Sequence, residues 1–275
     1  MPARSHSLGL GPRRRERLPG GEWAVSARAG HGPTCLLLHG FTGTSRDFDA
    51  VVPALGDRAL LAPDLPGHGR SAAASPMLAH VRAGLLALVA RLGPVDVLGY
   101  SQGGRLALDL ACTQPGRIRR LVLIGASPGL PPAEAETRRV ADERLAQHLE
   151  TIGVRAFLSE WSTGPLFTHL AERCDPIHLA TLRHHRSEAK AAGLAAALRS
   201  YGTGAVPYHG DSLAALPCPV LLLAGAEDTK FTAIAQSMAE QLPRAQIEVV
   251  AGAGHACHLE RPDVVGPRIA RFLND

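Results

Sequence analysis

The chain has 275 residues, of which 45% are hydrophobic and 20% charged, a balance that is typical of a globular protein and excludes wholesale disorder. Its length fits one large α/β domain with an insertion better than two equal domains. The formal net charge is +4, and part of the excess lies in an arginine-rich run at residues 13–17. Because that run has no interleaved aromatic residues and adjoins Gly and Pro, it does not indicate nucleic-acid binding.

Cysteine usage and hydropathy indicate the compartment. The five cysteines are scattered and include no C-x-x-C pair: Cys35, Cys112, Cys174, Cys218 and Cys257. This pattern argues against a disulfide framework and a zinc site, and it favours a reducing compartment. No stretch approaches the length of about 18 apolar residues that a membrane span needs, and the N-terminus has no apolar signal core. We therefore expect a cytoplasmic protein without a membrane partner.

The first part of the chain predicts strands followed by a helix. Residues 1–21 are rich in Gly, Pro and Arg, and we expect them to form a flexible basic tail. Residues 22–28 alternate apolar with polar side chains, which predicts an early strand. The apolar runs at residues 35–38 and 59–63 are typical of strands in a parallel sheet. Leucine and valine at helical spacing predict a helix over residues 77–92.

The same alternation continues to residue 125 and resumes after residue 216. Strands predicted at residues 95–98 and 119–125 flank a helix, so the core is a mostly parallel α/β sheet with right-handed crossovers. Residues 127–216 contain amphipathic helical stretches instead of strands, which indicates a helical cap over an active site. The predicted core therefore comprises residues 22–126 and 217–275.

The motif Gly99-Tyr100-Ser101-Gln102-Gly103 lies between a predicted strand and a predicted helix. In that context it predicts a nucleophile elbow, the tight turn that lifts a serine hydroxyl above a sheet. The glycines leave room where the strand packs against the helix. The alternative is a tight turn with a geometric role alone.

A reactive serine needs an imidazole to take its proton and a carboxylate to hold that imidazole. His255 follows the last predicted strand, and Asp228 follows the strand before it, so both fall on the same sheet edge as Ser101. The order Ser, Asp, His is the one expected of an α/β-hydrolase fold. Glu227 is the rival acid. The structural alternatives are that Asp228 caps the next helix and that His255 is a loop histidine.

The loop at residues 39–43 follows a predicted strand at the same sheet edge. Such a loop commonly directs one backbone N–H towards a developing oxyanion, here the N–H of Phe41, while the N–H of Gln102 supplies the second. The alternative is a glycine-rich turn that is needed only for chain geometry.

Several motifs together resemble the family of 2-succinyl-6-hydroxy-2,4-cyclohexadiene-1-carboxylate synthases of menaquinone biosynthesis. The sheet motifs are shared by many α/β-hydrolases, whereas the cap motifs are more selective. The matching sheet motifs are HGFTG at 39–43, DLPGHG at 64–69, GYSQGGR at 99–105, ASPGL at 126–130 and EDTKF at 227–231. The matching cap motifs are DERLA at 142–146, Trp161 with PLF at 165–167, and YGTG at 201–204. The match covers residues 35–262, and Gln102 departs from the Met or Leu expected after the serine.

The resemblance implies an α/β-hydrolase fold that carries out an elimination. Enzymes of this family remove a ring proton from an enolpyruvyl-bearing cyclohexene, and pyruvate leaves. Ser101, activated by His255 and Asp228, would act as the base without an acyl-enzyme. The resemblance implies no metal or organic cofactor. The expected partner is a small polycarboxylate, bound by a monomer or a small homo-oligomer.

A polycarboxylate substrate requires cationic residues near the reactive serine. Arg186 follows Leu179 and Leu182 on an apolar helical stripe, where a guanidinium is costly unless an anion meets it. Arg144 flanks a second apolar stripe. The alternative to substrate binding is that Arg144 contacts Glu143 and that the Arg186 side chain reaches the surface. The resemblance implies substrate-binding roles for Arg105, Arg144 and Arg186. The further candidates for substrate contact are His39, Tyr100 and Trp161, and the alternative for Trp161 is packing in the core.

Three functions remain open from the sequence. The first is the carbon–oxygen lyase, and the second is a serine hydrolase of esters or carbon–carbon bonds that uses the same triad. The third is a ligand-binding protein without catalysis, because fold does not fix function.

Overall fold

The structure, a computed structural model, describes residues 9–275 of the chain. Its centre is one eight-stranded sheet in the order β1-β2-β4-β3-β5-β6-β7-β8. The β1–β2 and β2–β4 pairs are antiparallel, and the remaining neighbours are parallel. The strands are β1 Arg14–Leu18, β2 Gly21–Arg28, β3 His31–Leu38, β4 Arg58–Pro63, β5 Val95–Tyr100, β6 Ile118–Ile124, β7 Val220–Gly225 and β8 Ala245–Val250.

Helices cover both faces of the sheet and form the cap. They are α1 Leu78–Leu92, α2 Gln102–Thr113, α3 Pro132–Ser162, α4 Leu170–Arg173, α5 Pro176–Arg186, α6 Ala191–Tyr201, α7 Thr229–Gln241, α8 Cys257–Glu260 and α9 Pro262–Asn274. Within residues 9–275, none of these helices is both long enough and apolar enough to cross a bilayer.

Alternating side chains of the central strands divide the core into two apolar layers. Along β3, Leu36 and Leu38 pack into the layer that also contains Leu85 and Leu106. Leu37 and Cys35 face the opposite layer, together with side chains of α9. Because a strand with both faces buried must be apolar throughout, the continuous apolar runs in the sequence predict these strands well.

The structure corrects the prediction of a flexible tail over residues 1–21. Arg14–Leu18 forms β1, which pairs with β2 along its whole length. The side chain of Arg13 is only 2% exposed and lies 3.1 Å from a carboxylate oxygen of Asp64. Ladder hydrogen bonds and ion pairs therefore order this charged run, although its side chains do not alternate as in a typical strand. Residues 1–8 of the predicted tail lie outside the described residues.

The segment between β6 and β7 consists of helices α3 to α6 and short 3₁₀ turns. Helix α3 is interrupted at Gly153, where φ is 79°, a conformation that glycine adopts without a steric penalty. Side chains of α3 and α6 form an apolar cluster of their own. Phe41 and Trp161 pack against that cluster, so this helical layer rests directly above the loop at residues 39–43.

Candidate active site

Ser101 lies in the tight turn between β5 and α2. Its φ is 51° and its ψ is −109°, a conformation that a non-glycine residue seldom adopts. A Cβ atom on Gly103 would lie 2.1 Å from the carbonyl oxygen of Leu38, so only glycine lets α2 approach the sheet here. The strained turn presents the Ser101 side chain at the carboxyl edge of the sheet, as a nucleophile elbow does.

His255 joins Ser101 to Asp228. The Nε2 atom of His255 lies 3.0 Å from the Ser101 Oγ, and its Nδ1 lies 2.6 Å from one carboxylate oxygen of Asp228. The other carboxylate oxygen of Asp228 accepts the N–H of Phe231 at 3.3 Å, so this residue also caps α7. Glu227, the rival acid, instead binds Arg173. The three residues that the sequence proposed as a triad therefore lie in the geometry of one.

Aromatic rings hold the His255 imidazole in place. The ring centroids of Phe231, Tyr100 and Phe167 lie 4.5 Å, 5.4 Å and 6.0 Å from that of His255. His255 itself is only 3% exposed. Apolar walls of this kind exclude water and limit the ring to the orientation that reaches both partners.

The two residues whose backbone N–H groups the sequence predicts to form an oxyanion hole, Phe41 and Gln102, both lie close to Ser101. Gln102 is the first residue of α2, so its N–H has no acceptor within the helix and lies at the positive end of the helix dipole. A Cβ on Gly40 would come within 3.4 Å of the Ser101 Cβ, which shows how closely the loop at residues 39–43 approaches the serine. Phe41, next along this loop, lines the same cavity as Ser101 and Gln102.

His39 supports this loop from below. Its Nδ1 lies 2.8 Å from the Gly40 carbonyl oxygen, and its Nε2 accepts the N–H of Leu65 at 2.8 Å. Both ring nitrogens are thus used by the backbone, and the side chain is buried outside the cavity. The structure therefore contradicts the expectation that His39 binds substrate directly: it is a support for the loop.

A cavity of about 420 Å³ opens above Ser101, between the sheet edge and the cap. Its lining combines residues at the edge of the sheet with side chains from the cap. The lining residues include Phe41, Ser101, Gln102, Arg105, Arg138, Trp161, Tyr208, Lys230, Phe231 and His255. Tyr100 does not line the cavity, because its ring lies beneath, against His255 and His258. Its predicted role as a pocket wall is therefore corrected to packing under the His255 ring.

Arg105 is a buried cation that faces this cavity. It is 7% exposed, and its Nε has no hydrogen-bond partner among residues 9–275. Burial, together with the nearby guanidinium of Arg138, lowers the pKa of the Arg105 guanidinium to about 10. Arg138 is held by Asp142 at 2.7 Å, and Lys230 lines the same cavity. Sequence patterns did not reveal Arg138 or Lys230 as cavity residues, since nothing in their spacing singles them out.

Arg186 does not line the cavity above Ser101, and it has a carboxylate partner. Its guanidinium is 2.7 Å from Asp47, which is buried in the core. Burial acts to raise the pKa of Asp47, but the Arg186 charge outweighs it and leaves that pKa below its usual range. Arg186 lines a second cavity of about 420 Å³, which Trp161 separates from the first.

Arg144 is exposed on α3 and lines neither of these two cavities in the described part of the chain. Its neighbour Glu143 binds Arg199 at 2.7 Å instead. The structure therefore does not bring Arg144 to the reactive serine, and it corrects that expectation. The apolar stripe predicted the helix face next to Arg144 but not the direction in which that face points.

One group of side chains in the described residues has ligand atoms spaced for a metal ion: His184, His185 and Glu188, within 4.8 Å of one another. The Glu188 carboxylate already pairs with Arg13 and with Arg70, the latter at 2.9 Å. A cation there would have to displace two guanidinium groups, so the donor set does not fit a metal site.

The fold and the site define a class of enzymes. The sequence model of the alpha/beta hydrolase family matches residues 35–267, and the chain belongs to that family. The 2-succinyl-6-hydroxy-2,4-cyclohexadiene-1-carboxylate synthase of Escherichia coli O1:K1 / APEC is 34% identical over 261 residues, which is 90% of this chain and 98% of that protein. A Bacillus subtilis (strain 168) protein that carries this name provisionally is 34% identical over 245 residues, or 86% and 89% of the two chains.

Solved structures agree with this grouping. MenH from S. aureus superposes with a TM-score of 0.84 at 28% identity, over 91% of this chain and 97% of that one. A thermophilic esterase from Thermogutta terrifontis, solved with malate bound, gives a TM-score of 0.79 at 26% identity, over 95% and 98%. Within the alpha/beta hydrolases, the chain is therefore a relative of the 2-succinyl-6-hydroxy-2,4-cyclohexadiene-1-carboxylate synthases. The predicted fold class and the family resemblance are confirmed.

Proposed function

We propose that the protein is a carbon–oxygen lyase that eliminates pyruvate from 2-succinyl-5-enolpyruvyl-6-hydroxy-3-cyclohexene-1-carboxylate. The product would be 2-succinyl-6-hydroxy-2,4-cyclohexadiene-1-carboxylate. The observation that carries the proposal is the buried guanidinium of Arg105, whose Nε has no hydrogen-bond partner among residues 9–275 and which lines the same cavity as Ser101 and His255. Relatives that are 34% identical and carry the name of this activity support it.

In this proposal Ser101 removes the ring proton. His255 takes the hydroxyl proton through its Nε2, 3.0 Å from the Ser101 Oγ, and Asp228 stabilises the imidazolium at its Nδ1. The ring proton is acidic because the adjacent succinyl carbonyl can accept the electron pair as an enolate. The ring double bond then shifts, the carbon–oxygen bond breaks, and pyruvate leaves as its enolate. Ser101 keeps the ring proton, and the proton held by His255 balances the one that the enolate takes up to become pyruvate, which returns His255 to its neutral form. No covalent bond to Ser101 is needed.

The oxyanion hole would stabilise the enolate. Phe41 and Gln102 line the same cavity as Ser101, and their N–H groups would meet the negative charge that develops on the succinyl oxygen. A fixed N–H pair in a water-poor cavity lowers the barrier without reorganisation. The side chain of Gln102 points elsewhere, because its Nε2 donates to the Tyr201 carbonyl oxygen at 3.3 Å. Its difference from Met or Leu therefore leaves the backbone role intact.

The substrate carboxylates would meet the cations of the cavity. Arg105 offers an Nε donor that no acceptor among residues 9–275 uses, and Arg138 and Lys230 add positive charge to the same cavity. Trp161 would provide the apolar face opposite them. We assign Arg186 to the ion pair with Asp47 and not to substrate binding, because its guanidinium is already neutralised there.

A serine hydrolase of esters or carbon–carbon bonds is the second candidate. The same triad and oxyanion hole serve acyl transfer, and a solved esterase shares the fold at 26% identity. The two functions differ in product and in covalent chemistry, and a hydrolase forms an acyl-enzyme on Ser101.

Product analysis tests the proposal. The enolpyruvyl substrate is prepared enzymatically and incubated with wild type or with Ser101→Ala, and the products are identified by mass. The lyase gives one equivalent of pyruvate and the conjugated diene with wild type alone. If wild type instead turns over p-nitrophenyl esters with a burst and leaves the enolpyruvyl substrate intact, the hydrolase assignment replaces the lyase. Binding without turnover of either substrate supports the non-catalytic protein.

We also propose a cytoplasmic location. The five cysteines are all free thiols, four of them buried, which suits a reducing compartment. The proposed partner is the small polycarboxylate, without nucleic acid or membrane, and the protein would act as a monomer or small homo-oligomer.

A further inference from the structure

A single arginine of the cap binds two carboxylates of the core. Arg173 ends the short helix α4, and its two terminal nitrogens lie 2.9 Å and 2.8 Å from the two carboxylate oxygens of Glu227. One of these nitrogens also lies 3.2 Å from Glu260. Arg173 therefore makes a bidentate ion pair with Glu227 and a single contact with Glu260. Bidentate pairs are the strongest ion pairs that arginine makes with a carboxylate.

The first acid belongs to the loop that carries the triad carboxylate. Glu227 immediately precedes Asp228, and its own N–H donates to the Ala253 carbonyl oxygen at 3.0 Å. A displacement of Glu227 therefore moves the backbone from which Asp228 reaches His255.

The second acid, at the end of α8, contacts the loop that carries the histidine. Glu260 is 4% exposed, and one of its oxygens accepts the N–H of Gly254 at 2.9 Å, directly before His255. That oxygen is also the one that Arg173 binds. Arg173 therefore connects, through Glu227 and Glu260, the two loops whose side chains must meet at 2.6 Å.

The neighbouring cap residues reinforce the connection. Phe167, six residues earlier in the same segment, lies with its ring edge on the His255 ring. Leu170, the first residue of α4, is buried in the core layer beneath. A cap segment that contacts both the acid loop and the histidine ring can align them only while it is docked.

We propose that Arg173 is a positioning residue that couples docking of the cap to the alignment of Asp228 with His255. The residue touches neither substrate nor reacting atoms. Its effect on turnover rests on the proposed function, whereas its effect on the reactivity of Ser101 does not. Small displacements within a catalytic group reduce rates steeply, so loss of the bridge lowers turnover more than it lowers substrate binding.

The test compares Arg173→Met with Arg199→Met. Arg199 is the matched control because it also binds two glutamates, Glu143 and Glu150, each at 2.7 Å. Its side chain is 34% exposed against 25% for Arg173. Both of its partners lie on α3, far along the chain from the triad loops, so its loss removes an equivalent ion pair without touching Asp228 or His255.

Two readouts are measured well below the melting temperature of each variant. The first is the rate at which a fluorophosphonate probe labels Ser101, with Ser101→Ala as the blank. The second is kcat and KM for pyruvate release. We expect Arg173→Met to lower the labelling rate and kcat by about ten-fold, with KM changed less than about two-fold. Arg199→Met should match wild type in both readouts, and Arg173→Lys, which cannot hold both acids bidentately, should fall between.

Outcomes separate the two proposals. If wild type is labelled but releases no pyruvate, the lyase assignment fails and the labelling comparison still decides the role of Arg173. If Arg173→Met is labelled at the wild-type rate, or if Arg199→Met is equally slow, the positioning role is wrong. Should Arg173→Met fail to fold, Glu227→Gln weakens the same bridge at constant volume, and the same slowing is required of it.

Discussion

Asp228 serves His255 and helix α7 at the same time: one carboxylate oxygen is 2.6 Å from the imidazole Nδ1, and the other accepts the N–H of Phe231. The two roles that the sequence left as alternatives are therefore compatible. The capping bond fixes the carboxylate rotamer, and that rotamer directs the second oxygen at the histidine. A helix cap is in this case part of the catalytic geometry.

The dual role of Asp228 predicts that two substitutions separate activity from stability. Asp228→Asn keeps a capping oxygen, so we expect the free energy of unfolding to change by less than about 1 kcal/mol while kcat falls about a thousand-fold or more. Asp228→Ala also loses the capping hydrogen bond of α7 and should be less stable than Asp228→Asn by about 1 kcal/mol. Urea unfolding and pyruvate release measure the two quantities. Equal stability of the two variants would show that the capping hydrogen bond from the Phe231 N–H to Asp228 contributes nothing to the free energy of unfolding.

Arg105 should contribute to binding while weakening the fold. Its guanidinium is buried and lacks a carboxylate partner among residues 9–275, so Arg105→Met relieves desolvation, and we expect unchanged or higher stability. The same change removes charge-assisted hydrogen bonds to a substrate carboxylate, which are worth about 1.5–3 kcal/mol, so KM should rise about ten-fold to a hundred-fold. Thermal melting and steady-state kinetics check both. A destabilised variant with normal KM would assign Arg105 to structure.

The Arg186–Asp47 pair predicts the opposite result for Arg186. Removing the guanidinium leaves the buried Asp47 carboxylate without its charge partner, and Arg186→Met should lose about 3–5 kcal/mol of unfolding free energy. Arg144→Met is the exposed control on the same cap and should change stability by less than about 0.5 kcal/mol and leave KM unchanged. A raised KM for Arg144→Met would show that the cap moves to bring this arginine to the substrate.

Two buried histidines predict that the fold weakens in mild acid. Burial lowers the pKa of both His68 and His258 to about 3, whereas an unfolded chain holds histidine near about 6.5. Only the unfolded state takes up these protons as pH falls, so their stabilisation is complete above about pH 6.5 and is lost between about 6.5 and 3. Within that range, each histidine lowers the free energy of unfolding by about 1.4 kcal/mol for every pH unit of acidification.

Urea unfolding from pH 7 to pH 4.5 measures this slope. We expect His258→Leu, which removes one such ring of similar volume, to have a slope shallower by about 1.4 kcal/mol per pH unit. Its stability at pH 7 serves as the reference, so that a general packing defect does not enter the comparison. An unchanged slope would contradict the account, because it would show that His258 takes up its proton as readily in the native state as in the unfolded state.

Local patterns predicted the parts of the site that local chemistry controls. The elbow, the strand ends and the order Ser101, Asp228, His255 follow from motifs whose backbone geometry is nearly obligatory. The partner of Arg186 did not follow from the sequence, because Asp47 lies 139 residues away and on a different element. Long-range ion pairs depend on packing, which helical periodicity does not encode.

The errors at the N-terminus and in the cap have a similar origin. Strand β1 is mostly charged, and it forms because β2 offers a ladder and because the buried Arg13, directly before it, pairs with Asp64 at 3.1 Å. Arg144 lies on a stripe at helical spacing, but the kink at Gly153 and the packing of α3 on α6 decide which face of the helix meets the cavity.

The central claim is that Ser101 is the base of a pyruvate elimination. The most direct measurement is kcat/KM for pyruvate release from the enolpyruvyl substrate, coupled to lactate dehydrogenase, for wild type and Ser101→Ala against the spontaneous background. We predict release far above background for wild type and a loss of about a thousand-fold or more in the variant. Release by wild type that does not exceed the background, or that survives in Ser101→Ala, would contradict the claim.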